Sequence, residues 1–148
     1  MELTRAEYIR LLHVLDTADW VIASHEVDET PESAPYKELE QTILAMAKEF
    51  NCEDLVEYDE RYKYSYTRKF EDESPSMKFI EVFENISFWD SLVDRLARRD
   101  FLKEIGSEKF NELEPMERFR KIGRYEEKYS EEFEKNGLSG IRIKIEKP

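Results

Sequence analysis

The chain of 148 residues has the length of one ordinary domain, and 40% of its residues are hydrophobic, which is enough for a single core. Its formal net charge of -12 opposes binding to nucleic acid and to anionic membrane surfaces. One cysteine excludes an internal disulfide, and four glycines with five prolines supply too few turns for an all-β sandwich. We therefore expect a single mainly α domain over residues 1–148.

The negative charge is concentrated in the first half of the chain. Residues 1–74 carry 8 basic and 19 acidic side chains, whereas residues 75–148 carry 15 and 16. Such a field attracts basic partners, although surplus charge also serves solubility. The N-terminal stretch MELTRAEYIR has no basic segment followed by an apolar run, and no apolar stretch approaches the ~18 residues of a membrane span. We expect a cytoplasmic protein without a membrane partner.

The first predicted helix begins at a capping box formed by Thr4 and Glu7 and runs to about residue 27. Apolar residues cover so much of its circumference that we expect it to be central and largely buried. The proline-containing DETPESAP ends it, and a second helix runs from Tyr36 to about Phe50. A short helical piece is predicted over residues 53–58.

Two later segments have the alternating pattern of strands. In RYKYSYTRKF, residues 61–70, the period changes from 3.6 to 2, so that three tyrosines and Phe70 fall on one face. Near the C-terminus, GIRIKIEKP alternates three isoleucines, at 141, 143 and 145, with basic residues. We expect these two segments to pair, in the antiparallel direction, as a small two-stranded ribbon.

The remaining segments predict loop and helix. FEDESPS reads as a loop, and helical patterning resumes at about Met77, breaks near Asn85 and continues to Gly106. The last long helix has Pro115 in its first turn and ends at Asn136 and Gly137. The predicted fold is therefore mainly α, with four to five helices and the two-stranded ribbon.

Pairing of the two strands would collect cations on the face opposite the aromatic one. The residues concerned are Arg61, Lys63, Lys69, Arg142 and Lys144. Three interpretations of the aromatic face stay open: part of the core, a groove for a small ligand or partner, or a stacking platform for single-stranded nucleic acid. The overall acidity counts against the last, because five cations must overcome the surrounding carboxylates.

A polar stripe on the first predicted helix is the best small-molecule pocket candidate. Its residues, about one helical turn apart, are His13, Asp16, Thr17 and Trp20. The alternative is a hydrogen-bonded polar group with only a structural role. His25 lies about 18 Å from His13 along a straight helix, so the two histidines do not predict a shared metal. Acidic neighbours disfavour a Cys52 thiolate.

The chain contains no P-loop, dinucleotide fingerprint, metalloprotease helix motif or EF-hand loop. We therefore expect no catalytic residue, no metal and no cofactor, and predict a non-catalytic protein-interaction domain, with self-association as one form of that function. A second hypothesis is a ligand-binding or weakly enzymatic helical domain that uses His13, Asp16 and Trp20. A third is binding of an anion or single-stranded nucleic acid around Lys63 and Arg142.

Overall fold

The computed structural model describes residues 3–23, 25–28 and 30–142. In this part of the chain the α-helices are α1 (Arg5–Ala23), α2 (Ala34–Leu44), α3 (Arg68–Glu73), α4 (Ser76–Ile105), α5 (Ser107–Glu112) and α6 (Pro115–Asn136). Strands β1 (Val56–Asp59) and β2 (Lys63–Tyr66) form an antiparallel ribbon, and short 3-10 helices span Ala47–Phe50 and Gly137–Gly140. The predicted class, mainly α with a small antiparallel ribbon, is confirmed.

The chain divides into two compact units, Met1–Phe83 and Glu84–Pro148. The core of the first unit includes Tyr8, Leu12, Leu44, Cys52 and Phe70, all almost completely buried. The core of the second unit is built on Ala97, Phe101 and Ile122. A single domain over residues 1–148 stays a prediction. Of the helices described, none combines the length and the apolar character needed to cross a bilayer.

Local sequence signals set several helix ends as predicted. The capping box at the start of α1 is confirmed: Thr4 Oγ1 accepts from the Glu7 backbone N–H at 3.3 Å, and Glu7 Oε2 accepts from the Thr4 N–H at 2.8 Å. Gly106 ends α4 with φ of 80°, and Gly137 ends α6 with φ of 56°, a region that L side chains rarely enter. Pro115 is the first residue of α6.

The prediction that the first helix is central and largely buried is wrong. Tyr8 and Leu12 are its buried residues, whereas Val14 and Val21 are 62% and 66% exposed. The buried side faces α2 and the ribbon, where the Tyr8 hydroxyl donates to the Ile43 carbonyl at 2.7 Å. In the part of the chain that the structure describes, the opposite side of α1 is left partly open. The helix also ends at Ala23 rather than near residue 27.

The ribbon forms from different segments than predicted. β2 pairs with β1, which the sequence pattern predicted as helical, and Val56 lies opposite Tyr66. The turn between them is closed by Asp59, whose Oδ1 accepts from the backbone N–H groups of Arg61 and Tyr62 at 2.8 and 3.1 Å. A hairpin closed by its own turn needs no long-range loop closure. Arg142 is not in a strand, and residues 143–148 lie outside the described part.

β2 is also shorter than the predicted strand. Thr67 ends it and caps α3, with Oγ1 accepting from the Phe70 backbone N–H at 3.4 Å. Residues 68–73 are therefore helical, where the sequence pattern predicted strand and then loop. The predicted break at Asn85 is likewise not formed, because one asparagine costs less than about 1 kcal/mol in a helix interior.

Candidate functional site

The structure separates the four residues of the predicted polar stripe. His13 and Thr17 line an apolar groove between α1 and the start of α4. Asp16 lines a polar cleft on another side of α1, and its Oδ2 accepts a long hydrogen bond of 3.5 Å from the Ser74 hydroxyl. Trp20 is 39% exposed and lines neither cavity. Two of the four residues thus share a site.

The apolar groove lies within the first unit and has a volume of about 780 Å³. One wall is α1, which contributes residues from Arg10 to Ile22, and the other is formed by Pro75 and Phe79. Its surface is almost entirely apolar, although Val14, Val21 and Phe79 are between 59% and 66% exposed. Contiguous exposed apolar surface of this kind marks interaction sites and ligand grooves.

The α4 side of the groove continues as an apolar helix face. Phe79, Val82 and Phe83 have the i, i+3, i+4 spacing of one helical stripe and are 53–64% exposed. Two phenylalanine side chains of ~200 Å² each leave about 250 Å² of ring surface in solvent at these exposures. A contiguous exposed apolar stripe, unlike a single exposed side chain, is typical of interaction surfaces.

His13 is the polar group at the floor of the groove. Its backbone carbonyl accepts from the Thr17 hydroxyl at 2.8 Å and from the Ser76 hydroxyl at 3.2 Å, and its ring packs on Phe70 with centroids 5.3 Å apart. Burial lowers the pKa of His13, against the opposing charge of Asp16. The imidazole is therefore neutral at pH 7 and offers one donor and one acceptor.

A second, polar cleft of about 930 Å³ lies where α1, α2 and β2 meet. At its floor Glu40 is only 8% exposed; its Oε1 accepts from the Tyr66 hydroxyl at 3.3 Å, and its Oε2 is 3.7 Å from Lys37 Nζ. Lys37 also bridges to Asp19 at 2.5 Å. These contacts join all three elements, so the structure favours a structural role for the cluster.

The burial of this cluster shifts the pKa values of Glu40 and Tyr66. Burial raises the pKa of Glu40, and the Lys37 ammonium only partly offsets this. Burial also raises the pKa of the Tyr66 phenol, to which the negative charge of Glu40 adds. Both groups therefore favour their protonated forms more than they would in water, and the Tyr66 hydroxyl donates to Glu40 Oε1.

The structure brings together two of the five predicted cations. Arg61 and Lys63 line the polar cleft, while Lys69 forms an ion pair with Asp54. Arg142 is an exposed residue of the second unit, and Lys144 lies outside the described residues. The aromatic residues divide as well: Tyr66 stacks on Phe70 with centroids 4.3 Å apart inside the core, whereas Tyr62 is 67% exposed.

The apolar residues that form the groove are not identified by the sequence pattern. The pattern places Val14 and Val21 on a helix expected to be largely buried, and Phe79 within a later helix. Periodicity shows which residues share a face of a helix, but it does not show whether another element covers that face. The one available signal was an excess: α1 carries more apolar residues than one buried stripe requires.

Neither a cluster of metal ligands nor a known relative indicates another site among the described residues. Within the described ranges, no three histidine, cysteine, aspartate or glutamate side chains come together in a way that would hold a metal ion. Comparisons of this chain with protein-family models, with curated proteins and with solved structures find no match.

Proposed function

We propose that the chain is a non-catalytic protein-interaction domain, whose first unit binds an amphipathic helix of a basic partner protein in the groove between α1 and α4. The observation that carries this proposal is the exposure of Val14, Val21 and Phe79, 59–66% each, around one almost wholly apolar groove. A cytoplasmic location belongs to the proposal, because a free thiol such as Cys52 fits a reducing compartment.

The shape of the groove supports a helix as the occupant. Its α1 wall extends from Arg10 to Ile22, which is about 18 Å along the helix axis, or just over three turns. Along this wall Val14, Ala18 and Val21 repeat at intervals of three and four residues, a ridge on which the apolar stripe of another helix can pack. Apolar anchors at such intervals are how helix-in-groove complexes are recognised.

The charge of the surrounding segment supports a basic partner over a second copy. The one charged residue that lines the groove is Arg10, but residues 1–74, which include the α1 wall, carry 19 acidic and 8 basic side chains in total. Two such surfaces would repel each other, whereas a partner with lysine and arginine beside its apolar stripe would be attracted and its association accelerated. Self-association is therefore an alternative outcome of the test below.

The free energy from covering the exposed rings sets a minimum on what the occupant must contact. Covering the ~250 Å² that Phe79 and Phe83 expose contributes about 6 kcal/mol at 25 cal/mol per Å². Association itself costs ~4–15 kcal/mol, so these two rings alone do not suffice. The valines of α1 must be covered as well, which requires an occupant that contacts both walls of the groove.

The proposal is tested by placing a photo-crosslinking amino acid at Val21 of the full chain in its own cells. The matched control is Val27, an equally apolar residue that is 98% exposed and does not line the groove. We expect an adduct from position 21 that is absent from position 27. The cross-linked partner peptide should be an amphipathic segment rich in lysine or arginine, and Val14→Glu should abolish the adduct.

Four results would contradict the proposal. Equal adducts from positions 21 and 27 would indicate non-specific capture, and absence of any adduct at position 21 would leave the groove without a protein occupant. An adduct between two copies of this chain would show that the groove binds a second copy rather than a basic partner protein. Retention of the adduct in the Val14→Glu variant would show that contact at Val21 does not depend on the groove.

A small apolar ligand in the same groove is the second candidate function. It is favoured by His13 and Thr17, which place polar groups beside the apolar walls of a cavity within the usual size range of ligand sites. Such a ligand would stay bound to the purified protein, and native mass spectrometry would detect it as added mass. A partner helix would not stay bound through purification. No observation on the described residues favours the third hypothesis, anion binding around Lys63 and Arg142.

A further inference from the structure

The second unit contains a locally basic region in a chain of opposite charge. Residues 95–104 of α4 and 118–128 of α6 together hold nine basic and four acidic side chains, while the whole chain carries a net charge of -12. The two segments pack on each other through the core of this unit, in which Ala97 and Phe101 meet Ile122. The basic side chains of both segments therefore contribute to the electrostatic potential of the same surface region.

The two acidic residues of the α4 segment are already engaged by neighbours. Asp100 accepts from Arg99 Nε at 2.7 Å and from the Tyr129 hydroxyl, and both bonds lower the pKa of its carboxyl. Glu104 accepts from the Tyr125 hydroxyl. Both carboxylates keep their negative charge, so the two segments together hold five more basic than acidic side chains, nine against four.

Three of the α6 cations line one pocket of about 370 Å³. Lys121, Arg124 and Lys128 follow the i, i+3, i+7 spacing that puts residues on one helix face. Lys121 has an ion pair with Glu117 at 2.8 Å, whereas Arg124 and Lys128 form no ion pair with any other residue that the structure describes. Two cationic groups thus face the pocket without a partner among those residues.

The apolar lining of the pocket is aromatic and aliphatic. Phe101, which is 3% exposed, Ile105 and the ring of Tyr125 line it, and Glu104 is its one acidic lining residue. The volume is at the lower end of the range for small-molecule sites. A flat apolar group can rest on these side chains while an anionic group reaches the cations at the edge, an arrangement that arginine favours through its planar donors.

We propose that this pocket between α4 and α6 binds a small aromatic anion, a phosphate or carboxylate attached to a flat ring. Arg124 and Lys128 contact the anionic group, and Phe101, Ile105 and Tyr125 contact the ring. A nucleic-acid strand is a different class of ligand and is disfavoured, since its many phosphates would also meet the acidic residues that make up most of the chain's charge.

The inference is tested with phenyl phosphate as the probe, titrated into the ¹⁵N-labelled full chain and followed by amide chemical shifts. Phenol and inorganic phosphate serve as half-ligands at equal ionic strength. We expect saturable shifts in residues 101–105 and 121–128, with a Kd at least about tenfold lower than for either half-ligand. Arg124→Glu should raise the Kd about tenfold or more, because a charge-assisted hydrogen bond is lost.

Arg120→Glu is the matched control, since it makes the same charge change on an exposed residue of the same helix that does not line the pocket. It should raise the Kd less than about threefold, through the long-range field alone. Equal weakening by both variants would overturn a specific site. Absence of saturable shifts, inorganic phosphate binding as tightly as phenyl phosphate, or tighter binding of a single-stranded oligonucleotide would also overturn the proposal.

Discussion

At the scale of single residues, the first unit carries an uncommon buried charge. Glu40 is 8% exposed and has two partners, the Tyr66 hydroxyl and the Lys37 ammonium. Burying a carboxylate costs free energy that a partner at 3.7 Å returns only in part, and the raised pKa of Glu40 reflects that balance. The neutral form of this side chain therefore suits the folded state better than the charged form does.

The first prediction concerns the substitution Glu40→Gln. A carboxyl whose folded pKa lies above its unfolded value of about 4.5 makes the protein less stable as the pH rises through the folded pKa, since the folded state then gives up a proton that it holds preferentially. Glutamine does not titrate. We expect Glu40→Gln to be more stable than the wild type at pH 7.5, and the gain to shrink towards pH 5.

Urea denaturation of both proteins at the two pH values measures this difference. Glu38→Gln, on the exposed surface of the same helix, is the control for the loss of a carboxylate in solvent. A gain from Glu40→Gln that is equal at pH 7.5 and pH 5 would show that titration of Glu40 does not cause it, and a loss at both would show that the ion pair with Lys37 outweighs the burial.

At the scale of secondary structure elements, the ribbon depends on a side chain of α2. Gln41 Nε2 donates to the Tyr64 carbonyl at 2.8 Å, and Gln41 Oε1 accepts from the Tyr64 N–H at 3.0 Å. The amide thus satisfies one residue on the outer edge of β2 as a neighbouring strand would. A two-stranded ribbon is marginal by itself, so this contact and the packing on α2 stabilise it.

The second prediction is that Gln41→Met lowers the free energy of unfolding by about 1–2 kcal/mol. Methionine keeps the length of the side chain but leaves the half-buried N–H and C=O of Tyr64 without a protein partner. Glu38→Met, an exposed position on the same helix, should change stability by less than ~0.5 kcal/mol. Chemical denaturation of the three proteins checks this, and equal stabilities would mean that water replaces Gln41 at no cost.

The elements also show what the sequence could and could not predict. Thr4, Gly106 and Gly137 mark helix ends through bonds and backbone angles within a few residues, so they were predictable. The partner of β2 was not, because the apolar–acidic alternation of VEYD covers only four residues and its pairing depends on the turn that Asp59 closes. The groove was missed for a related reason, since exposure of Val14 depends on what packs against α1.

At the scale of the whole molecule, the excess of acidic residues opposes compaction. A net charge of -12 on 148 residues produces repulsion that folding increases, because it brings the charges closer together. The ion pairs of the described residues are mostly between exposed groups, and such pairs contribute ~0–1 kcal/mol each. Salt weakens both the repulsion between acidic residues and the attraction within the ion pairs. Because acidic residues are in large excess, the weaker repulsion has the larger effect on stability.

The third prediction is therefore that low concentrations of salt stabilise the protein. Raising NaCl from about 10 to about 100 mM shortens the Debye length from about 30 to about 10 Å. We expect the Tm to rise by roughly 3 °C, which for a chain of this size corresponds to about 1 kcal/mol. Differential scanning calorimetry measures the shift. A lower Tm at 100 mM would show that attractive pairs outweigh the repulsion.

The completely buried thiol of Cys52 gives the first unit a built-in chemical reporter. Its side chain is 0% exposed within the same core as Tyr8 and Phe70, and burial raises its pKa, which further slows its reaction as a nucleophile. A thiol reagent can reach it only when that core opens. Since the chain has one cysteine, the alkylation rate of the unmodified protein counts openings of this unit alone, so an occupant of the groove would be detected as a slower reaction without any label.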